Sequence, residues 1–240
     1  MTVPEPSAAL RAQYLDVVTR ALATISAADP GLRIGLGPGA TVADVVSWTA
    51  AFATTAADQL SSIALTPRPP VPHPDGLTTA SPALLEALVT TPSRRPCWTP
   101  SPAVPPQAGF WLRRSAHALS VRAWQVQVAQ DEPVSLEPWL LLDGVDEHLT
   151  VMFAVACCDP QTPAGRAAGT IAVRCTDVDA HWTLRLEPGC VPLLIGGEPD
   201  APADAVLAGD TATLRLGLAG MLPLPEGSGE AALLAALRLR

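Results

Sequence analysis

The spacing of apolar residues changes character once along this chain, and that change restricts the fold more than any other feature. Up to about residue 156 apolar side chains recur at helical intervals; from Gly169 they fall into short strand-like runs separated by turn residues. The pattern predicts an α+β protein, with a helical bundle first and a small sheet with helices after it.

Within the helical part, Leu10, Tyr14, Val17, Val18, Ala21, Leu22 and Ile25 form one stripe behind the potential cap Ser7. The glycine-rich stretch 31–39 breaks that helix, and Thr41 with Asp44 reads as a capping box opening a second one that runs to about Leu65. A Pro-rich loop follows over 66–75, then Ser81-Pro82 as cap and first-turn proline of a short third helix ending at Val89. A second Pro-rich passage, 92–106, leads into a long helix over 107–130, and four helices so connected suggest a bundle. Asp131-Glu132-Pro133 marks the junction, which places a first domain at 1–131 and a second at 132–240. In the second, 137–156 reads as helix, 170–176, 180–187 and 190–195 as strands, 203–207 as a further strand, and 210–221 and 230–239 as helices.

With 240 residues, 48% of them hydrophobic, the chain can bury a substantial core. All 15 basic residues are Arg, the signature of GC-rich codon usage, and the absence of Lys excludes a lysine Schiff base. A net charge of -8 argues against a nucleic-acid partner, because phosphate binding needs a basic face. The opening Met1-Thr2-Val3-Pro4-Glu5-Pro6 has neither a basic nor an apolar region and no apolar run approaches ~18 residues, so a cytoplasmic protein with no membrane partner is expected, as monomer or homodimer.

Five irregularly spaced Cys without a Cys-x-x-Cys pair read as reduced, packed thiols; Cys97, beside Arg94 and Arg95, is the candidate for a reactive thiolate. Gly35-x-Gly37-x-Gly39 follows no strand and reads as a loop, not a phosphate cradle. Asp177 and Asp179 read as solvated turn carboxylates, and Glu147-His148 as an exposed or interdomain pair.

The segment Phe110-Trp111-Leu112-Arg113-Arg114-Ser115-Ala116-His117-Ala118-Leu119-Ser120-Val121-Arg122-Ala123-Trp124-Gln125 carries a further signal. It resembles the stretch Phe-Trp-x-Arg-Arg-x-Ala-His-Glu-x-x-x-His-Arg-Trp-Asp of the mycothiol-dependent maleylpyruvate isomerase family, a branch of the DinB-like metalloenzymes. Thr41-Val42-Ala43-Asp44-Val45-Val46-Ser47-Trp48-Thr49 is similar to that family's Thr-Val-x-Asp-Leu-Val-x-His-Leu, and Asp143-Gly144-Val145-Asp146-Glu147-His148-Leu149 to its Asp-Gly-Val-Asp-Glu-x-Leu. Pro96-Cys97-Trp98 and Arg174-Cys175-Thr176-Asp177 with His181-Trp182-Thr183-Leu184-Arg185-Leu186 extend the resemblance over most of the chain. It implies a DinB-like four-helix bundle followed by a small α/β sterol-carrier-like domain.

In that family a Glu and two His grip a divalent metal. Here the corresponding places hold Ala118, Arg122 and Trp48, so the resemblance arrives without its metal ligands, and neither metal nor other cofactor is expected. Arg122 would put a permanent cation near the lost metal's charge, able to clamp a carboxylate or stabilise an enolate oxygen, and Trp48 could stack on it or on a planar substrate. Equally, Trp48 could fill the cavity while Arg122 pairs with Asp44, Asp58 or another acid. Trp111, Trp124, Tyr14 and Gln125 are candidates for the same cavity lining, or plain core. His117 is a candidate general base if it faces the cavity, or a packing residue if it does not.

The expectation is therefore a metal-independent member of this family that binds a small anionic or aromatic metabolite, with Arg122 and His117 as catalytic candidates and Trp48, Trp111, Ala118, Gln125 and Tyr14 as substrate contacts. Its reaction would be an isomerisation, cyclisation or related rearrangement. The alternatives are a pseudoenzyme acting as a binding or partner protein, and a metal- and mycothiol-dependent isomerase or thiol transferase with displaced ligands.

Overall fold

The computed structural model describes residues 7–37, 39–67, 76–132, 134, 136–195 and 202–238. The chain combines helices with one five-stranded sheet and divides into two compact units, one of 1–100 with 104–135, the other of 101–103 with 136–240. Parts of the Pro-rich 66–75 loop, of the junction at Pro133 and of the N-terminal lead lie outside the described residues.

In the first unit, α1 (Ala8–Ala27) opens with the Ser7 hydroxyl accepting from Leu10 N at 3.1 Å and buries the stripe that its periodicity marks, from Tyr14 to Ile25. α2 (Val42–Ser61) opens on the Asp44 carboxylate, which accepts from the backbone N–H groups of Ala40 and Thr41 at 2.8 and 2.9 Å. These bonds hold the Asp44 carboxyl below its ordinary pKa. α2 ends at Ser61 instead of near Leu65. Ser62 is extended, and the Arg95 guanidinium takes the carbonyls of Leu60 and Ser62.

α3 (Leu77–Thr90) begins earlier than Ser81, which leaves Pro82 inside the helix rather than in its first turn. Proline offers no N–H to the carbonyl one turn back, a local loss that burial of Leu77, Ala80, Leu84 and Leu88 offsets. At its far end the Arg11 guanidinium accepts the role of cap, donating to the carbonyls of Leu88, Val89 and Thr91 at 2.5, 3.2 and 3.2 Å. α4 (Gly109–Ala129) packs on α1 and α2, and α2 packs on α3.

The Pro-rich passage between α3 and α4 is built like a hairpin: Cys97 N donates to Pro106 O, Ala108 N to Arg95 O and Gly109 N to Ser93 O, at 2.8 to 3.0 Å. It is an ordered brace whose residues Ser93, Arg95 and Cys97 receive or donate the bonds that finish α3 and α2.

In the second unit, the helical reading of 137–156 resolves into α5 (Pro138–Glu147), a π-helical turn (His148–Met152) and α6 (Phe153–Cys157). Its buried stripe is Val145, Leu149, Phe153 and Cys157, spaced every four residues. In an ideal α-helix each such step overshoots a full turn by about 40°. The wide π turn absorbs a residue and keeps the stripe on one side. Opposite it lies the sheet, in the order β3-β2-β1-β4-β5, of β1 (Gly169–Cys175), β2 (His181–Leu186), β3 (Leu193–Leu194), β4 (Ala205–Gly209) and β5 (Gly227–Gly229). β1 pairs antiparallel with β2 and parallel with β4.

Ile171, Val173, Trp182, Leu184, Leu186, Ala205 and Leu207 supply the sheet's share of this core, which α7 (Thr211–Leu218) and α8 (Ala231–Ala236) complete. β5, a Gly-Ser-Gly run, carries none of the apolar alternation that marks the other strands. Asp177 lies exposed in the turn between β1 and β2, as the sequence reading has it, and its Oδ1 also accepts from Thr211 N and Oγ1 at 2.9 and 2.7 Å, so it fastens the start of α7. Glu147 and His148, read as an exposed or interdomain pair, are buried, which corrects the exposed alternative.

Candidate ligand site at Trp48 and Arg122

The two helices that carry the expected site, α2 and α4, bring Trp48 and Arg122 together. The Arg122 guanidinium carbon lies 4.4 Å from the Trp48 ring centroid, in cation–π geometry. Trp48 is stacked on Phe52, one turn further along α2, with centroids 5.3 Å apart and planes 11° from parallel. Phe52 in turn meets Trp111 at 6.5 Å, so an aromatic row runs from the exposed Trp48 to the buried Trp111.

Arg122 is held from a second side. Its Nη1 donates to Gln125 Oε1 at 2.9 Å, while Gln125 Nε2 donates to the Leu36 carbonyl at 2.6 Å. A guanidinium only donates and a carbonyl only accepts, so the two neighbours fix the orientation of the amide between them. Leu36 sits in the glycine-rich loop, which positive-φ Gly37 and Gly39 turn back toward α2. That loop therefore contributes one carbonyl to the site. Half-buried Arg122 has its pKa lowered by desolvation. Asp44, one of the acids considered as its partner, is instead engaged in capping α2.

The remaining candidates divide. Gln125 and Ala118 are buried on α4 beside Arg122, at helical spacing from it. Trp111 is buried too, but its indole N–H is given to the Trp98 carbonyl at 2.9 Å, which makes it the inner wall of the aromatic row. His117 is 0% exposed and meets buried Tyr14 edge-on at 6.1 Å, on the seam between α1 and α4. Of the two readings open for each, His117 and Tyr14 thus take the packing one: five residues along α4 turn His117 about 140° away from Arg122. Trp124 is half-buried.

Cys97 is also corrected. It is fully buried, its thiol donates to Gln59 O at 3.2 Å, and burial raises its pKa more than Arg95 lowers it. Arg95 is committed to the end of α2.

Sequence reasoning missed Phe52, the Leu36 carbonyl and Ser115. Phe52 had a signal, its i+4 spacing from Trp48; so did Ser115, which shares the α4 face of Ala118 and Arg122. The Leu36 carbonyl had none, since any residue carries one. Ser115 Oγ and Thr49 Oγ1 are buried without a hydrogen-bond partner among the described residues.

The donor set does not fit a metal. The three places that the family resemblance points to carry an indole, a methyl and a guanidinium, and among the described residues no three His, Cys, Asp or Glu gather as ligands. No described helix is long and apolar enough to cross a membrane. Compared with protein-family models, with characterised proteins and with solved structures, the chain matches none.

Proposed function

We propose that this chain is a metal-independent member of the mycothiol-dependent maleylpyruvate isomerase family, with a DinB-like bundle and a sterol-carrier-like second domain. On this reading it binds a small anionic or aromatic metabolite at Arg122 and catalyses an isomerisation, cyclisation or related rearrangement. The observation that carries the ligand site is the Arg122 guanidinium seated over a Trp48 ring that is still 38% exposed. A side chain that merely plugged a cavity would be buried; this one leaves an aromatic surface and a cation at the rim of one cluster. Electrostatic stabilisation of a developing enolate or carboxylate by a fixed cation is the chemistry such a cluster offers.

The test is Arg122→Met, followed by titration with small aromatic carboxylates such as benzoate and by thermal melting. The expected result is a fold left largely intact and binding weakened by roughly 2 to 4 kcal/mol, the range for a buried charge-assisted contact. The second reading is a pseudoenzyme, a binding or partner protein. The Gln125 clamp favours it, because a cation held by its own chain's amide also has a structural use. That reading predicts a stability loss of roughly 1 to 3 kcal/mol, the cost of leaving the Gln125 amide without its donor, with affinity unchanged in the folded fraction.

A further inference from the structure

Ser115 is a fully buried hydroxyl with no hydrogen-bond partner among the described residues. Serine inside a helix ordinarily returns its hydroxyl to the carbonyl one turn back, and buried polar groups are overwhelmingly satisfied. Removing the hydroxyl would relieve an unmet desolvation cost. Its position is specific. Trp111, Ser115, Ala118 and Arg122 recur at intervals of four, three and four residues, which puts them on a single face of α4.

Both ends of that stripe touch α2: Arg122 lies on Trp48 and Trp111 meets Phe52. The two helices therefore run in opposite directions, and the middle of the stripe lies between these two contacts with α2. There α4 offers only two small side chains, the methyl of Ala118 and the hydroxyl of Ser115. The cluster thus has a cation at its rim, aromatic rings along its length and one uncommitted hydroxyl within.

We propose that Ser115 is the second polar contact of this site, hydrogen-bonding an oxygen substituent of a planar carboxylate whose carboxylate group is held by Arg122. The assignment rests on the reading of Arg122 as a ligand contact and narrows it to hydroxy- or oxo-substituted planar acids. A serine hydroxyl both donates and accepts, so it serves either substituent.

The experiment measures binding of benzoate, salicylate, 3-hydroxybenzoate and 4-hydroxybenzoate to the wild type, Ser115→Ala and Arg122→Met, with a melt of each protein. In the wild type at least one hydroxybenzoate should bind about tenfold more tightly than benzoate, the scale of one good buried hydrogen bond. Ser115→Ala should bring that ligand down to the affinity of benzoate and melt no lower than the wild type, whereas Arg122→Met should weaken all four acids. Binding that depends on Arg122 but ignores Ser115, or a Ser115→Ala protein that melts lower with its affinities unchanged, overturns the Ser115 assignment alone. Binding indifferent to Arg122, or none at all, overturns the Arg122 site and the Ser115 assignment with it.

Discussion

At the scale of single residues, environment decides chemistry that residue type leaves open. Cys97 has two arginines beside it in sequence, yet the tertiary fold assigns Arg95 to the end of α2 and buries the thiol against Gln59 O. Cys157 is buried as well, and its pKa is pushed up from 9.0 to about 12, by desolvation first and by neighbouring Cys158 second. Exposed Cys190 should therefore react with a thiol reagent in the native protein, while Cys97 and Cys157 label only on unfolding; mass spectrometry of partly labelled protein checks the order. The raised thiol has a pH consequence. Folded Cys157 holds its proton more tightly than the unfolded chain, so its contribution is complete below pH 9 and is lost as pH climbs toward about 12. Melts across that window should fall less steeply in Cys157→Ala. Gln125 links two elements through one amide, and Gln125→Leu removes a partner from both Leu36 O and Arg122, which should cost roughly 1 to 3 kcal/mol in urea titration.

At the scale of elements, helix ends are finished from a distance. Arg11 and Arg95 close α3 and α2 respectively, each donating to carbonyls that no intrahelical N–H reaches. Arg95→Met should lower stability by roughly 1 to 3 kcal/mol, measured by denaturant titration, because the carbonyls of Leu60 and Ser62 lose a charged donor together. Gly144 on α5 shows a different constraint: a Cβ there would lie 2.2 Å from Arg215 Nε, and Arg215, on α7, is itself buried. Gly144→Ala should overpack this contact and cost roughly 1 to 3 kcal/mol, visible as a lower melting temperature. Trp182 adds a second tie to the same helix by donating its indole N–H to Asp146 Oδ1 at 2.9 Å. A neutral Asp146→Leu change that raised stability would show that this tie is worth less than the packing it replaces.

At the scale of the whole molecule, the donor set predicts that protein purified without a metal-affinity tag holds far less than one zinc or nickel ion per chain. Elemental analysis after dialysis checks this, and stoichiometric metal would return the displaced-ligand reading to first place. Much of the architecture was legible before any coordinates: the shift from helical to strand spacing, the Ser7 cap, the Asp44 capping bond and the buried stripe of α1 all rest on short-range patterns, in which neighbouring residues report the same local geometry. β5 and the early start of α3 were not legible. A Gly-Ser-Gly strand is stabilised by pairing with β4 and a proline is tolerated in α3 because of what the helix buries, and neither partner is near in sequence. The site divides in the same way. Sequence alone determined which residue types stand at positions 48, 118 and 122, an indole, a methyl and a guanidinium, none of which ligates a metal. Only the tertiary structure decided that Trp48 and Arg122 touch, that Gln125 and Leu36 hold the cation and that His117 faces α1, because contacts between helices depend on which faces meet, and chain order does not encode that directly.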